Sequence, residues 1–284
     1  MPVIEPMHLA PRVIEPGPAL PSLQLGVLWR FRELVYFLAW RDVKVRYKQT
    51  ALGVSWVVLQ PLVTTVVFSL LFGGLLQVPS GSIPYPVFAC AALVPWNYFA
   101  GSLGRASTSL VTNASLLTKV YFPRMVIPLS GVLASLVDAA VAFLVLLALM
   151  IYYHVPVHPS VFLLPPFVLL AMVAALGFSL WFSALNVRYR DVTYLVPFVI
   201  QVWMYVTPVI YGTTLIPERW RFLLVLNPMT GVVEGFRWAL LGIAPSSLGN
   251  TPLSALVPCL VAVLVLISGA YFFRATERTF ADIV

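Results

Sequence analysis

Six long apolar stretches alternate with shorter polar segments along this chain of 284 residues. Most of the stretches reach the roughly 20 residues that a helix needs to cross about 30 Å of hydrocarbon. The pattern therefore predicts an all-α membrane protein with six transmembrane helices, at about 51–72, 84–104, 126–152, 161–185, 193–211 and 253–273.

The segment before the first apolar stretch has a different pattern. Apolar residues recur at helical spacing over 26–48, and charged residues occupy the other faces. This pattern predicts an amphipathic helix that lies in the membrane interface. Residues 1–25 contain six prolines, which predicts a disordered tail. The predicted helix ends in a basic cluster that consists of Arg41, Lys44, Arg46 and Lys48.

The segment 212–252, between the last two stretches, contains two apolar runs that are too short to span a bilayer. They lie near 215–226 and 228–241 and are separated by Asn227-Pro228. Asn favours a helix N-cap and Pro favours the first helical position. We therefore predict two short helices that dip into the outer leaflet, with Glu234 and Arg237 one turn apart on the second. The alternative is an ordinary external loop with one surface helix.

Composition and charge narrow the class of protein. Only 10% of the residues are charged and 61% are hydrophobic, whereas soluble domains carry about 25% charged residues. A soluble enzyme, a nucleic-acid-binding domain and a disordered chain are excluded on this ground. With the N-terminus inside, the predicted cytoplasmic segments hold 14 of the 17 basic residues, so both termini are expected to be cytoplasmic.

Little in the sequence suggests catalysis. There is no phosphate-binding loop of the form Gly-x-x-x-x-Gly-Lys-Ser/Thr, so any ATP and Mg²⁺ must be bound by another chain. His154 and His158 are separated by a proline and have no carboxylate nearby, so neither a metal site nor a cofactor is expected in this chain. Asp138 is the one acidic residue inside a predicted span. We expect no Arg or Lys at its depth and favour a protonated or hydrogen-bonded structural role over a proton relay.

Polar and aromatic residues at mid-membrane depth form a second group of candidates. Aromatic faces pack against sugar rings, while amide and hydroxyl side chains bind sugar hydroxyls, so such residues would suit a conduit for a glycan. Ordinary helix packing is the alternative. The candidates on spans one, two and five are Gln60, Thr64, Trp96, Asn97, Tyr98, Phe99, Gln201, Trp203 and Tyr205.

Six segments of the chain resemble the permeases of type-2 ABC exporters for O-antigen, teichoic acid and capsular polysaccharide. They occur in the family's order, and the match is closer to the O-antigen and teichoic-acid branch. The segments are RDVKVRYKQTALGVSWVVLQPL (41–62), LVPWNYF (93–99), SLLTKVYFPRMVIPL (115–129), ALNVRYRDV (184–192), PVIY (208–211) and LNPMTGVVEGFRWALLG (226–242).

The resemblance implies a permease domain over 49–274, preceded by a gate helix at 26–48 and followed by a cytoplasmic tail at 275–284. It also implies pairing with a second copy, two separate ATP-binding-cassette subunits, and re-entrant external helices. The expected substrate is an undecaprenyl-pyrophosphate-linked glycan that crosses the bacterial inner membrane. The basic cluster before the first span could bind the lipid pyrophosphate or anchor the chain to anionic lipid. The implied coupling helix at 105–122 offers Asn113, Ser115, Leu116, Thr118 and Lys119 as ATPase contacts.

Two alternatives to glycan export share some of these features. A type-2 exporter of a small drug or lipid would have the same architecture with a compact apolar pocket. A membrane-embedded enzyme would need paired external acids or a metal site.

Overall fold

A computed structural model of the chain describes residues 25–48, 54–244, 252–277 and Phe280. Most of the predicted tail 1–25 and part of the predicted tail 275–284 lie outside the described residues. Helices account for nearly all regular structure in the described part, which contains no strand. The first four helices are α1 (Leu25–Arg30), α2 (Arg32–Lys48), α3 (Val54–Phe68), which continues as a π-helix over Ser69–Leu75, and α4 (Tyr85–Thr112).

The remaining helices begin with a short one beyond the end of α4. A 3-10 turn at Pro159–Leu163 leads directly into α7. These helices are α5 (Ala114–Lys119), α6 (Val126–Tyr152), α7 (Leu164–Arg188), α8 (Val192–Val206), α9 (Glu218–Val225), α10 (Pro228–Leu241) and α11 (Pro252–Glu277).

Five helical segments of the described chain are long and apolar enough to cross a membrane. They are Val58–Leu75, Tyr85–Thr112, Val126–Tyr152, Pro159–Arg188 and Leu256–Glu277. The fifth predicted span differs, because α8 has only 15 residues and is about 22 Å long. It ends before Thr207-Pro208, and Pro208 has no N–H with which to continue the helix. The described chain thus has five full-length candidates and one shorter apolar helix, where the sequence predicts six spans.

The centre of the bundle is α4. It contacts α6 and α7 most extensively, and α3, α8 and α10 also pack against it. Most of its residues from Tyr85 to Leu110 are buried. Gly131 of α6 lies close to the Ala106 backbone, so these two helices approach closely through small residues.

The predicted amphipathic segment forms two helices with a break at Phe31. Val35 and Leu38 are buried in a cluster that includes the first turns of α6. Farther along α2, Val43 lies in a groove shared with Val137 of α6. The second helix therefore runs along α6 in the same direction, and its C-terminal end reaches the middle of that helix.

Candidate functional site

The carboxylate of Asp138, near the middle of α6, is held by side chains from two other helices. From α2, Arg46 forms an ion pair with one carboxylate oxygen, and the Tyr47 hydroxyl donates to the other at 2.6 Å. From α4, Arg105 Nη2 lies 3.2 Å from the oxygen that Arg46 contacts, and it also donates to the Ser135 hydroxyl. The Asp138 side chain is 24% exposed. This cluster, which we call the Asp138 cluster, joins α2, α4 and α6.

The expectation that no cation lies at the depth of Asp138 is wrong. The fourth helix continues to Thr112, past the predicted span boundary at residue 104, so Arg105 belongs to a continuous helix. Its guanidinium folds back over Gly101, where a Cβ would lie 2.9 Å from Nη2. Arg46 arrives from the end of α2. Asp138 is therefore ion-paired, and burial together with its hydrogen bond raises the pKa of Tyr47 to about 12, which keeps this hydroxyl a donor.

The four residues of the predicted basic cluster divide between two faces of α2. Arg41, Lys44 and Lys48 are exposed and share one face by their spacing. Arg46 is half-buried on the other face, in the Asp138 cluster. Arg41 pairs with Asp42 at 2.9 Å, and the same Nη2 donates to Asn113 Oδ1 at 3.0 Å. The predicted basic cluster is thus an outward cationic face plus one arginine that binds Asp138.

Several predicted channel residues lie inside the bundle. Trp96, Tyr98 and Phe99 are at most 4% exposed. The Trp203 ring is half-buried and packs edge-on against Phe99 at 5.1 Å. A second edge-on contact, at 4.6 Å, joins Trp203 to Phe178. Within one chain these rings are packing residues, as the helix-packing alternative proposed.

Other predicted channel residues face outward. Gln60 on α3 and Gln201 and Tyr205 on α8 are exposed, while Thr64 and Asn97 are half-buried. Their neighbours on these faces are apolar and also exposed; they include Leu59, Val63, Phe198 and Val202. An exposed amide on an apolar helix has no hydrogen-bonding partner among lipid tails. Such residues face water or another protein surface.

The short helix α5 presents the predicted coupling residues on two sides. Asn113 separates it from α4, and its amide donates to the Ser109 carbonyl at 2.8 Å. Ser115, Thr118 and Lys119 are exposed, whereas Leu116 packs against the bundle. Just beyond the helix, Tyr121 is 98% exposed.

At the opposite end of the bundle, α9 and α10 occupy the region where two short helices were predicted. The Asn227 side chain caps α10 by accepting from Met229 N at 3.1 Å, and Pro228 is the first helical residue, which confirms that part of the prediction. Asn227 also accepts from Trp203 Nε1 at 3.2 Å and donates to Thr207 Oγ1 at 2.9 Å. It thereby ties α10 to the C-terminal end of α8.

Arg237 and Glu234 of α10 are both buried. Arg237 donates to the carbonyl oxygens of Pro208 at 2.6 Å and Val209 at 2.7 Å, just beyond the end of α8. Glu234 accepts from the Thr213 hydroxyl at 2.5 Å. Burial lowers the pKa of Arg237 to about 9, so the side chain remains charged at neutral pH. These residues fix the connection after α8 to the bundle.

Comparison with known proteins decides the family. A sequence profile described as ABC-2 type transporter matches residues 33–241, which is most of the chain. The chain belongs to the ABC-2 type transporter family. The match spans the segment from α2 through α10 and therefore includes the Asp138 cluster and both buried residues of α10.

Curated ABC-2 relatives cover about three quarters of this permease. The O-antigen export system permease protein RfbA of Klebsiella pneumoniae is 32% identical over 215 residues, which are 75% of this chain and 81% of the relative. Its namesake from Myxococcus xanthus is 30% identical, with 74% and 81% covered. The polysialic acid transport protein KpsM of Escherichia coli is 22% identical, with 71% and 78% covered.

Several residues of this ABC-2 permease make structural contacts that are not predicted from the sequence. Arg105 and Tyr47 are not predicted as partners of Asp138, and Arg237 is predicted only as a residue one turn from Glu234 on the second short helix. The available signal was physical: an acid at membrane depth requires a partner, and Arg46-Tyr47 stands at the end of the helix that precedes the first span. The several hydrogen bonds of Arg237 to backbone depend on the path of the chain after α8, which periodicity does not give.

Proposed function

We propose that this ABC-2 permease is the transmembrane subunit of an ATP-driven exporter of a cell-surface polysaccharide of the O-antigen type. The substrate is an undecaprenyl-pyrophosphate-linked glycan, which crosses the bacterial inner membrane between two copies of the chain. Two separate ATP-binding-cassette subunits bind ATP and Mg²⁺ on the cytoplasmic side, where both chain termini lie. The names of the RfbA relatives support export of O-antigen.

The observation that carries the proposal is the exposure of glutamine side chains on apolar helices. Gln60 of α3 and Gln201 of α8 face outward in one copy. Both would be poorly placed against lipid tails, whereas amides lining a path between two copies can bind sugar hydroxyls. Tyr205, Thr64 and Asn97 add hydroxyl, amide and ring surface to this path. Trp96, Tyr98, Phe99 and Trp203 support it from behind as packed aromatic residues.

The proposed lipid site lies along α2, which acts as the gate helix. The exposed face of Arg41, Lys44 and Lys48 offers cations to a pyrophosphate, and Arg46 lies in the last turn of the same helix. An apolar groove between α6 and the two helices α1 and α2, lined by Trp29, Trp40 and Leu133 among others, suits a polyprenyl chain beside that cationic face.

The proposed ATPase contact is α5. Ser115, Thr118 and Lys119 form its exposed side, and the exposed Tyr121 ring extends that side. Asn113 and Leu116 hold the helix against α2 and the bundle, so a push on α5 is passed on to the permease.

Exchange of the two glutamines for leucine tests the path. We expect Gln60→Leu and Gln201→Leu to lower ATP-driven glycan export by at least about tenfold, equivalent to about 1.4 kcal/mol, because each removes an amide without changing bulk. The assay uses the permease with its ATP-binding subunits in inverted vesicles and a lipid-linked glycan. The matched control is Val66→Leu, a change at an exposed apolar position of α3.

Two results would contradict the proposal. If both glutamine variants export the glycan at the rate of Val66→Leu, the path does not run along α3 and α8. Transport of a free lipid or drug, with no transport of the linked glycan, would favour the alternative of a small-molecule exporter.

A further inference from the structure

Among the described residues, polar side chains tie α2 to the unit formed by α4 and α5 in the Asp138 cluster and at a further point. At the other, Arg41 of α2 donates to Asn113, the residue between α4 and α5. In the cluster, Asp138 of α6 lies between Arg46 of α2 and Arg105 of α4. Both ties involve arginines of α2.

We propose that Asp138 is a positioning residue that couples α2 to the α4–α5 unit, so that movement of α5 moves α2. The proposal rests on the proposed function, since it concerns how an ATPase that contacts α5 would act on the gate helix. It assigns Asp138 a role in transmitting motion, distinct from binding the substrate.

The charges of the cluster explain why the carboxylate is required. Two guanidinium groups approach a single carboxylate, and all three side chains are partly shielded from water, with 24–34% exposure. With Asp138 present, both arginines are attracted to the same point. Without it, Arg46 and Arg105 become neighbouring like charges, and the end of α2 is repelled from α4. The carboxylate thus converts a repulsion between two helices into a link.

The backbone around the cluster is built to hold this link. Gly101 leaves the space into which the Arg105 guanidinium folds, and the Ser135 hydroxyl orients it from α6. Gly131, one turn before Ser135, allows α4 and α6 to approach closely. Because Arg105 is fixed to both helices, displacement of α4 is carried to the carboxylate and then to Arg46.

The principal test is Asp138→Asn, with Asp191→Asn as the matched control. Asp191 undergoes the same chemical change at an exposed position before α8, where its side chain makes no capping hydrogen bond. Export and ATP hydrolysis are measured in vesicles that contain the permease and its ATP-binding subunits, over a range of lipid-linked glycan concentrations. We expect Asp138→Asn to lower the maximal export rate by about tenfold, within the range of coupling between sites. ATP hydrolysis per complex and the half-saturating glycan concentration should remain those of the control.

A second variant, Arg46→Gln, removes the ion pair between α2 and Asp138 while leaving the carboxylate bonded to Arg105 and to the Tyr47 hydroxyl. This variant keeps the α4–α6 contact, so it remains informative if Asp138→Asn does not assemble. The proposal expects the same loss of maximal rate from Arg46→Gln, with partial recovery in Arg46→Lys. If Arg46 instead binds the pyrophosphate, Arg46→Gln raises the half-saturating concentration and Asp138→Asn does not impair export.

Three results would overturn the proposal. They are export by Asp138→Asn at the rate of Asp191→Asn, an effect of Arg46→Gln on half-saturation alone, and a loss of ATP hydrolysis and export in proportion to lost assembly in both variants. Failure of the unaltered complex to export the glycan would contradict the proposed function itself. If the unaltered complex exports the glycan and both variants export it at the control rate, only the role of Asp138 is contradicted.

Discussion

The side chain of Arg237 provides hydrogen-bond donors for backbone carbonyl groups just beyond the end of α8, where the chain is no longer helical. Beyond the end of α8 the carbonyl oxygens of Pro208, Val209 and Tyr211 have no helical partners, and the guanidinium donates to all three. Its remaining face lies over the Phe88 ring, with Cζ 3.6 Å from the ring centre. A planar fork of five N–H donors can make these bonds at once, which a lysine ammonium cannot.

Replacement of Arg237 tests this arrangement. We expect Arg237→Gln to lower the free energy of unfolding by at least about 3 kcal/mol, because it leaves buried carbonyl oxygens without donors. Arg237→Lys should recover part of the loss, since it retains the charge but not the fork. Thermal unfolding of the purified protein in detergent measures both.

Arg219 provides the control for that measurement. It is exposed on α9, so Arg219→Gln should change stability by no more than about 0.5 kcal/mol. Equal midpoints for the Arg237 and Arg219 variants would show that the buried bonds do not contribute.

At the scale of the helices, the sequence predicted where apolar segments lie better than where helices end. The predicted span 126–152 coincides with α6, and 253–273 lies within α11. By contrast α4 continues eight residues past its predicted end. Hydropathy marks the edge of the bilayer, whereas α4 continues beyond it through Ser107 and Thr108, whose hydroxyls donate to the Gly104 carbonyl. The extra turns carry Arg105 to Asp138.

In the candidate site, too, only part of the arrangement can be predicted from the sequence. The exposure of Ser115, Thr118 and Lys119 agrees with their selection, from the sequence alone, as candidates for contact with another chain. The arrangement around Asp138 depends on which helices are neighbours, and neither spacing nor composition specifies that. Burial of Trp96 and Phe99 likewise depends on how α4 sits at the centre of the bundle, and depth along a span does not reveal which side faces a neighbour.

Packing of α7 against α11 gives a prediction about helix contact. A Cβ at Gly177 would lie 2.7 Å from the Leu266 backbone nitrogen, and one at Gly269 would lie 2.5 Å from the Gly177 carbonyl oxygen. We expect Gly177→Ala to force the helices apart and to cost about 1–3 kcal/mol of stability. The matched change Gly104→Ala meets only Ile200 Cδ1, at 4.0 Å, and should be neutral or slightly stabilising. A lower thermal midpoint for both variants alike would argue against a specific contact at Gly177.

At the scale of the whole molecule, the spans differ in how much surface one copy covers. Only 11% of the Val58–Leu75 span is buried in one copy, compared with 78% of the apolar stretch of α4. The outward faces of α3 and α8 combine apolar residues with glutamines, whereas the exposed residues of α11 are mostly aliphatic and include Leu260 and Leu264. The mostly aliphatic face of α11 suits contact with lipid, whereas the mixed faces of α3 and α8 suit contact with a second copy.

Chemical cross-linking in membranes checks this pairing. Single cysteines at Phe198 and Val202 of α8 and at Val63 of α3 should give covalent dimers with a short bismaleimide. Cysteines at Leu260 and Leu264 of α11 should not, because that face contacts lipid. The native Cys90 and Cys259 are first replaced by alanine. Dimers obtained from α11 and not from α3 or α8 would place the pairing, and the proposed path, on the other side of the bundle.

The central position of α4 also has a consequence for biosynthesis. This helix leaves the ribosome before the segments that enclose it, since α6 supplies Asp138 and α7 supplies Asn186, whose amide donates to the Ser107 carbonyl at 2.9 Å. A nascent chain that ends before α6 therefore presents the membrane with Arg105 without Asp138, and one that ends before α7 lacks Asn186, the donor to the Ser107 carbonyl. The second span can therefore reach its native packing only after the third and fourth have been translated, so termination before residue 188 leaves α4 incompletely enclosed.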